Sequence, residues 1–302
     1  MSLADAPVGC VPIVWNNADL LDLAPETPAE TVLDEIARLG FDGTQHGRGL
    51  PEGDVLRAAL AQRGLRFAEL YSSLPAGPDG LLERAADIAR RDLARLMVAG
   101  GEVLVLALDA GGVRATWAGR VPAGAPRWPQ TAYDELTGLL RELAEGAPEG
   151  VKVCFHPHAA TWIEAPDEVE GLADRLGGSG VGLCLDVGHY LVGGGDPVTA
   201  IGRYRELLGH VHLKDVDPAV LARLRAGEMP DFGAAVRERI FTELGNGALD
   251  LGGVLSALDR IGYRGWLMVE QDSSWLQPSE AAAVGRRVLE YARRVALREA
   301  VA

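Results

Sequence analysis

Eight short β-like runs punctuate this chain, and between them lie segments whose apolar residues recur at three- and four-residue spacing. The runs are VGCVPIV (8–14), FDGTQH (41–46), LRFAELY (65–71), EVLVLAL (102–108), VKVCFH (151–156), VGLCLDV (181–187), HVHLKD (210–215) and GWLMVEQ (265–271). Short apolar runs read as buried strands, and the intervening spacing reads as amphipathic helix. PAETVLDEIARLG, LERAADIARRDLARLMVAG, YDELTGLLRELAEGA and DPVTAIGRYRELLG are the clearest helical segments, each with Gly near its end as a stop signal, and a last helix is expected over 279–298.

Strands that alternate with helices lie parallel, because each helix carries the chain back before the next strand begins. Eight such units in 302 residues suit an α/β fold of one kind, a single (β/α)8 TIM barrel, taken as one domain over 1–302. A doubly wound sheet usually carries a Gly-rich phosphate loop after its first strand, and VWNNADLLDL offers none. The long connections 109–128 and 216–245 are expected to act as lids.

A chain of this length buries a substantial core without disulfides. Cys10, Cys154 and Cys184 lie inside apolar runs without zinc-site spacing, and are read as reduced core thiols of a cytoplasmic protein. MSLADAPVGC lacks the pattern of a signal peptide, and no apolar run is long enough for a membrane span. The net charge of −14 opposes binding to nucleic acid or anionic membranes. Small neutral or metal-chelating substrates fit that balance, and a homo-oligomer is left open.

The six histidines, His46, His156, His158, His189, His210 and His212, all fall at or just beyond the ends of the expected strands and outside the helices. In a barrel those ends converge on the face that holds the active site. Asp186 ends the sixth strand and Glu270 the eighth. A carboxylate after several apolar residues is costly to bury without positive compensation, which a divalent metal, an Arg partner or a helix N-terminus supplies. Imidazole and carboxylate without thiolate favour Mn, Co, Fe or Zn over Ca or Mg. Period two places His210, His212 and Lys214 on one face: His212 reads as a ligand, and Lys214 as a substrate or charge-pairing group or a solvent-facing strand-edge Lys. His156 and His158 share a side across Pro157, either as a metal or proton-transfer pair or as polar residues that end a strand. Gln45, His46 and Glu69 reach toward the same mouth or make core hydrogen bonds. Trp15 beside Asn16 and Asn17, with Trp117, Trp128, Trp162 and Trp275, either offers apolar faces to a polyol or packs loops down.

PIVWNNADL, CFHPHAATWIEAPDEVEGL, VGLCLDVGHYLVGGGDPVTAI, HVHLKDVDPAVLARLRAG, LGNGALDLGGVLSAL and GYRGWLMVEQD extend over nearly the whole chain. In these stretches it resembles the xylose-isomerase-like superfamily of sugar isomerases, epimerases and endonuclease-IV-like proteins, and within it the inosose dehydratases, which act on 2-keto-myo-inositol. The Asp-x-x-His at 186–189 and the His-x-His-Leu-Lys-Asp at 210–215 carry the likeness. It implies a divalent metal, often Mn or Co, on Asp186, His212 and Glu270, with His156 standing where relatives keep a Glu. Epimerases of the superfamily trade a proton between two Glu across the substrate, so this departure disfavours epimerisation. Gln45 and Asn246 also replace residues that are commonly acidic. The implied reaction is dehydration of a cyclic keto-polyol. His156, His158, His189 or Glu270 would take the α-proton, and Lys214 or a protonated His would assist water departure. The alternatives are a keto-sugar isomerase or epimerase and a non-catalytic polyol-binding barrel.

Overall fold

Parallel strands close in chain order around one axis: β1 (Val8–Cys10), β2 (Gly43–Gln45), β3 (Arg66–Leu74), β4 (Val103–Leu108), β5 (Lys152–Phe155), β6 (Gly182–Asp186), β7 (Leu208–Leu213) and β8 (Leu267–Val269). The computed structural model describes residues 3–299, so the expected domain limits 1 and 302 lie outside the described residues. Strand β8 returns to β1, with Val8 opposite Leu267 and Cys10 opposite Val269. The outer ring is α1 (Ala29–Arg38), α2 (Gly53–Ala61), α3 (Ala85–Ala99), α4 (Gln130–Gly146), α5 (Pro166–Leu176), α6 (Pro197–Arg203), α7 (Leu251–Arg260) and α8 (Pro278–Glu299). The expected (β/α)8 TIM barrel is therefore the fold.

Element ends differ from the sequence reading for local reasons. Strand β1 stops at Cys10 because Pro12 opens a 3-10 turn over Pro12–Val14. Helix α6 ends at Arg203 rather than continuing to 209, because Leu208 already belongs to β7. Its start is well defined: Asp196 accepts from the N–H groups of Val198 and Thr199, with Pro197 in the first turn.

The barrel interior changes character along its axis. Ala68, Val103, Val105, Cys154, Cys184, Trp266 and Met268 form an apolar plug. Gly9 makes room for it, since a Cβ there would fall 2.3 Å from the Met268 sulfur. The three cysteines are free and buried, as expected. No described helix is long and apolar enough to cross a membrane.

The two long connections are not open lids. The first contains a short helix, Gly112–Trp117, and the second contains helices Pro218–Ala226 and Phe232–Arg237. Asp215–Val216 pairs antiparallel with Phe241–Thr242 at the root of the second. Ala118, Val192, Val216, Leu224, Phe232 and Ile240 join in a separate apolar core beside the mouth. Glu168 in α5 anchors this region. It accepts from Arg114 at 2.9 and 2.7 Å, from Arg127, and from the N–H groups of Glu164 and Ala165 at 3.0 and 2.9 Å. Glu164 ties the first connection down by accepting from Gly119 N–H at 2.6 Å and Ala160 N–H at 2.8 Å.

Two outcomes follow. Glu168→Ala leaves the fully buried Arg114 without its carboxylate, and urea unfolding should show a loss of about 3–5 kcal/mol. Burial pushes the Glu164 carboxyl from its ordinary 4.5 up to about 7, against the two N–H donors that favour its ionised form. Its folded value is raised, so the stability contributed by its protonated form is full below pH 4.5 and is lost as pH climbs through about 7. Relative to Glu164→Gln, the wild type should lose about 2–3 kcal/mol between about pH 5 and about pH 8 in unfolding titrations.

Candidate active site

A cavity of about 340 Å³ opens at the C-terminal ends of the strands, with His156, His158, Lys214, Glu270, Asp272 and Tyr71 in its wall. Strand ends bring these groups together. Asp186, the last residue of β6, caps the helix Val187–Val192 by accepting from His189 N–H at 2.8 Å through Oδ1. Strand pairing sets Asp186 opposite His212, and His212 opposite Met268, so Glu270 follows close by on β8.

His212 lies among three carboxylates. Its Nε2 is 2.9 Å from Glu69 Oε2, so the Nε2–H donates to that carboxylate. Burial would lower the pKa of the ring, but Cys184, Glu69 and Glu270 hold it well above the ordinary histidine value. Nδ1 lies 2.6 Å from Glu270 Oε2 and 3.8 Å from Asp186 Oδ2. Asp186 Oδ2, His212 Nδ1 and Glu270 Oε2 are buried, yet none has a hydrogen bond of acceptable geometry. Donor atoms of these three residues lie within 4.8 Å of one another, an oxygen–nitrogen set that fits a divalent cation. Asp186 therefore caps a helix with one oxygen, while the other is buried without a hydrogen bond.

His156, the fourth expected ligand, stands beside this group. Its Nε2 is 3.7 Å from Asp186 Oδ2, and its Nδ1 has no hydrogen-bond partner. It clusters within 4.8 Å with His212 and Cys184, so a thiol lies next to the set that the sequence reading left free of sulfur. Burial pushes that thiol up to about 12.

Lys214 is fully buried, which overturns the solvent-facing alternative. Its Nζ is 2.7 Å from Asp272, 2.9 Å from Glu270, 3.5 Å from Asp186 and 3.0 Å from His189 Nε2. Burial would lower its pKa, but Asp272, Glu270 and Asp186 hold it well above the ordinary lysine value. In return, Lys214 is the main group holding Asp186 and Glu270 ionised against burial. Burial, reinforced by Glu270, raises Asp272 to about 7 although Lys214 pulls it down. Sequence reasoning missed Asp272; its signal was the alternation that places it two residues beyond Glu270.

The remaining histidines separate by depth. His158 lines the cavity, and its Nδ1 lies 2.6 Å from the Ala159 carbonyl, so Nδ1–H donates and Nε2 is left free. Burial, then His156 and Lys214, pushes it down to about 3, which keeps the ring neutral. His189 sits inside the short helix after β6, contrary to the reading of helices free of histidine, and does not line the cavity. Its ring lies 3.7 Å from that of His158, and burial holds it well below the ordinary histidine value. His210 is within β7 rather than at its end, with Nε2 2.5 Å from Glu69. Glu69 is likewise below the mouth. Burial would raise it, but His212 and His210 bring it down to about 2.

His46 and Gln45 both line the cavity, and His46 contacts Glu52 at 3.4 Å. None of the tryptophans lines it. Trp15 donates to Glu35 at 2.5 Å and Trp128 to the Gly77 carbonyl at 2.7 Å, so they hold loops, while Trp275 is exposed beneath Arg239. Asn246 is exposed in a loop whose Gly245 and Gly247 N–H groups donate to Asp215.

A closed barrel with a carboxylate–imidazole cluster at its C-terminal mouth is the setting of a sugar-modifying enzyme. A family model described as xylose isomerase-like TIM barrel matches residues 33–292, and the chain belongs to that family. It is 31% identical over 288 residues to an inosose dehydratase of Clostridium botulinum (strain Alaska E43 / Type E3), covering 93% of this chain and 95% of that one. It is 34% identical over 299 residues to the rhizopine catabolism protein MocC of Rhizobium meliloti, covering 95% and 89%. Its fold matches a solved L-ribulose 3-epimerase with a TM-score of 0.71 at 19% identity, over 98% and 97% of the two chains. The chain is an enzyme of the lyase or isomerase type.

Asp186→Asn keeps an oxygen for the helix cap and removes the charge aimed at the cluster. Calorimetric titration with Mn²⁺ should show affinity reduced by about 100-fold or more, with the unfolding midpoint little changed.

Proposed function

We propose that this chain is a metal-dependent dehydratase acting on a cyclic keto-polyol such as 2-keto-myo-inositol. The observation that carries the reading is the convergence of three buried, unpartnered donor atoms, on Asp186, His212 and Glu270, beside a cavity of sugar size. The inosose dehydratase name of its relatives supports the reaction and the substrate. Mixed imidazole and carboxylate donors favour Mn or Co. An ion held there would supply Lewis-acid polarisation of the substrate ketone and a neighbouring hydroxyl.

The chain's own residues supply the rest. His158 lines the cavity with its tautomer set by the Ala159 carbonyl, and its Nε2 is the acceptor for the proton α to the ketone. Lys214 stays charged among its carboxylates and donates a hydrogen bond to the departing hydroxyl. The C–H and the neighbouring C–O bond break, a carbon–carbon double bond forms, and His158 passes the proton it took to the departing hydroxyl, so that one water leaves and the ring ends neutral. Arg48, the other lining cation, is engaged by Glu26 at 3.1 Å and by the Asn17 carbonyl at 3.1 Å. That leaves no unpaired cation for a phosphate and suits an uncharged substrate.

His156, in the place of a carboxylate, argues for elimination over proton exchange between two faces. With Mn²⁺ or Co²⁺, the protein should convert 2-keto-myo-inositol into a diketone with a new ultraviolet absorbance. Solvent deuterium entering next to the ketone without water loss would instead establish the isomerase or epimerase reading. Neither exchange nor absorbance under either metal would refute both.

A further inference from the structure

Below His212, on the side away from the cavity, the barrel buries a carboxylate that the reaction above does not use. Glu69 is 0% exposed, next to the apolar plug of the barrel interior. An ionised carboxylate at that depth is costly, and an apolar side chain would serve packing better. The backbone is specially arranged to bring it there. Thr44 pairs with Phe67 but Gln45 pairs with Glu69, so Ala68 is an extra residue in the ladder. As a result Ala68 joins the apolar plug while its neighbour Glu69 also reaches inward, to His210 and His212. A regular strand would send those two neighbours to opposite faces.

Both contacts meet on one oxygen. Glu69 Oε2 lies 2.9 Å from His212 Nε2 and 2.5 Å from His210 Nε2. We propose that Glu69, held in place by His210, is a positioning residue for the metal centre: it fixes His212 as the Nε2–H tautomer and so presents Nδ1 toward Asp186 and Glu270. This inference rests on the metal reading given above. A carboxylate behind a ligating imidazole also raises the basicity of the ring and adds negative charge beneath the cation. His210 Nε2 meets the same Oε2 at ion-pair distance without hydrogen-bond geometry, and crowds the side of Glu69 away from His212.

The test is titration of the metal-free full chain with Mn²⁺ by calorimetry, paired with the visible spectrum of the Co²⁺ form. The wild type should bind one ion, and Glu69→Gln should bind about 10- to 100-fold more weakly with an altered cobalt spectrum. His210→Leu, which leaves Glu69 in place but unsupported, should weaken binding in the same direction by a smaller factor. It decides the matter if Glu69→Gln does not fold. Wild-type protein that binds neither ion would overturn the metal reading and this inference with it. Wild-type protein that binds, alongside variants with unchanged affinity and spectrum, would overturn the positioning role alone. Circular dichroism and urea midpoints of the variants separate loss of the ligand from loss of the fold.

Discussion

His212 wedged between Glu69 on one side and Asp186 with Glu270 on the other is the interaction on which the site depends. Glu69 accepts the Nε2–H of the ring, so Nδ1 is the nitrogen that faces the two carboxylates. Around it, Glu69, Asp186, Glu270 and Asp272 set four carboxyl groups against the single ammonium of Lys214. Buried charge is tolerated when it is compensated, and a divalent cation is the further compensation proposed for this arrangement.

The rest of the barrel keeps that cluster in place. The plug of Val105, Met268 and Trp266 fills the interior on one side of it, while the cavity opens on the other, at the mouth. The second apolar core holds the connections after β4 and β7 against the helix that Asp186 caps, through Val192, Phe232 and Phe241. Phe241 also lies 4.5 Å from Lys214 Nζ, giving the ammonium an aromatic wall as well as its carboxylates. Glu168 and Arg114 tie the same region to α5, so the long connections are packed structure behind the lining residues of the site.

Much of this was legible in the residues. The sequence pattern located the eight strands and the clearest of the helices between them, and the placement of histidines and carboxylates at strand ends pointed to one face. Asp186 and His212 meet because parallel strands set them opposite each other. Other parts were not legible. The extra residue Ala68 turns Glu69 inward, and a bulge is invisible to a strict alternation rule. His210 resembles a mouth residue until β7 is seen to begin at Leu208, which leaves it at mid-strand. The tryptophans suited a polyol platform by type, yet Trp15 and Trp128 spend their N–H groups on Glu35 and a carbonyl. Cys184 reads as a core residue and is one, but its neighbours are His156 and His212.

The sequence by itself determined the parallel barrel and the stock of chemistry at its mouth, because both follow from local periodicity and from where polar residues interrupt apolar runs. Only the tertiary structure decided which atoms face one another. It made Lys214 a buried partner of three carboxylates, set His156 beside the convergent donors, and placed His158 rather than His189 at the cavity wall. Those choices depend on barrel closure, on one bulge and on packing between distant loops, and these are relations between strands that no single stretch of chain contains.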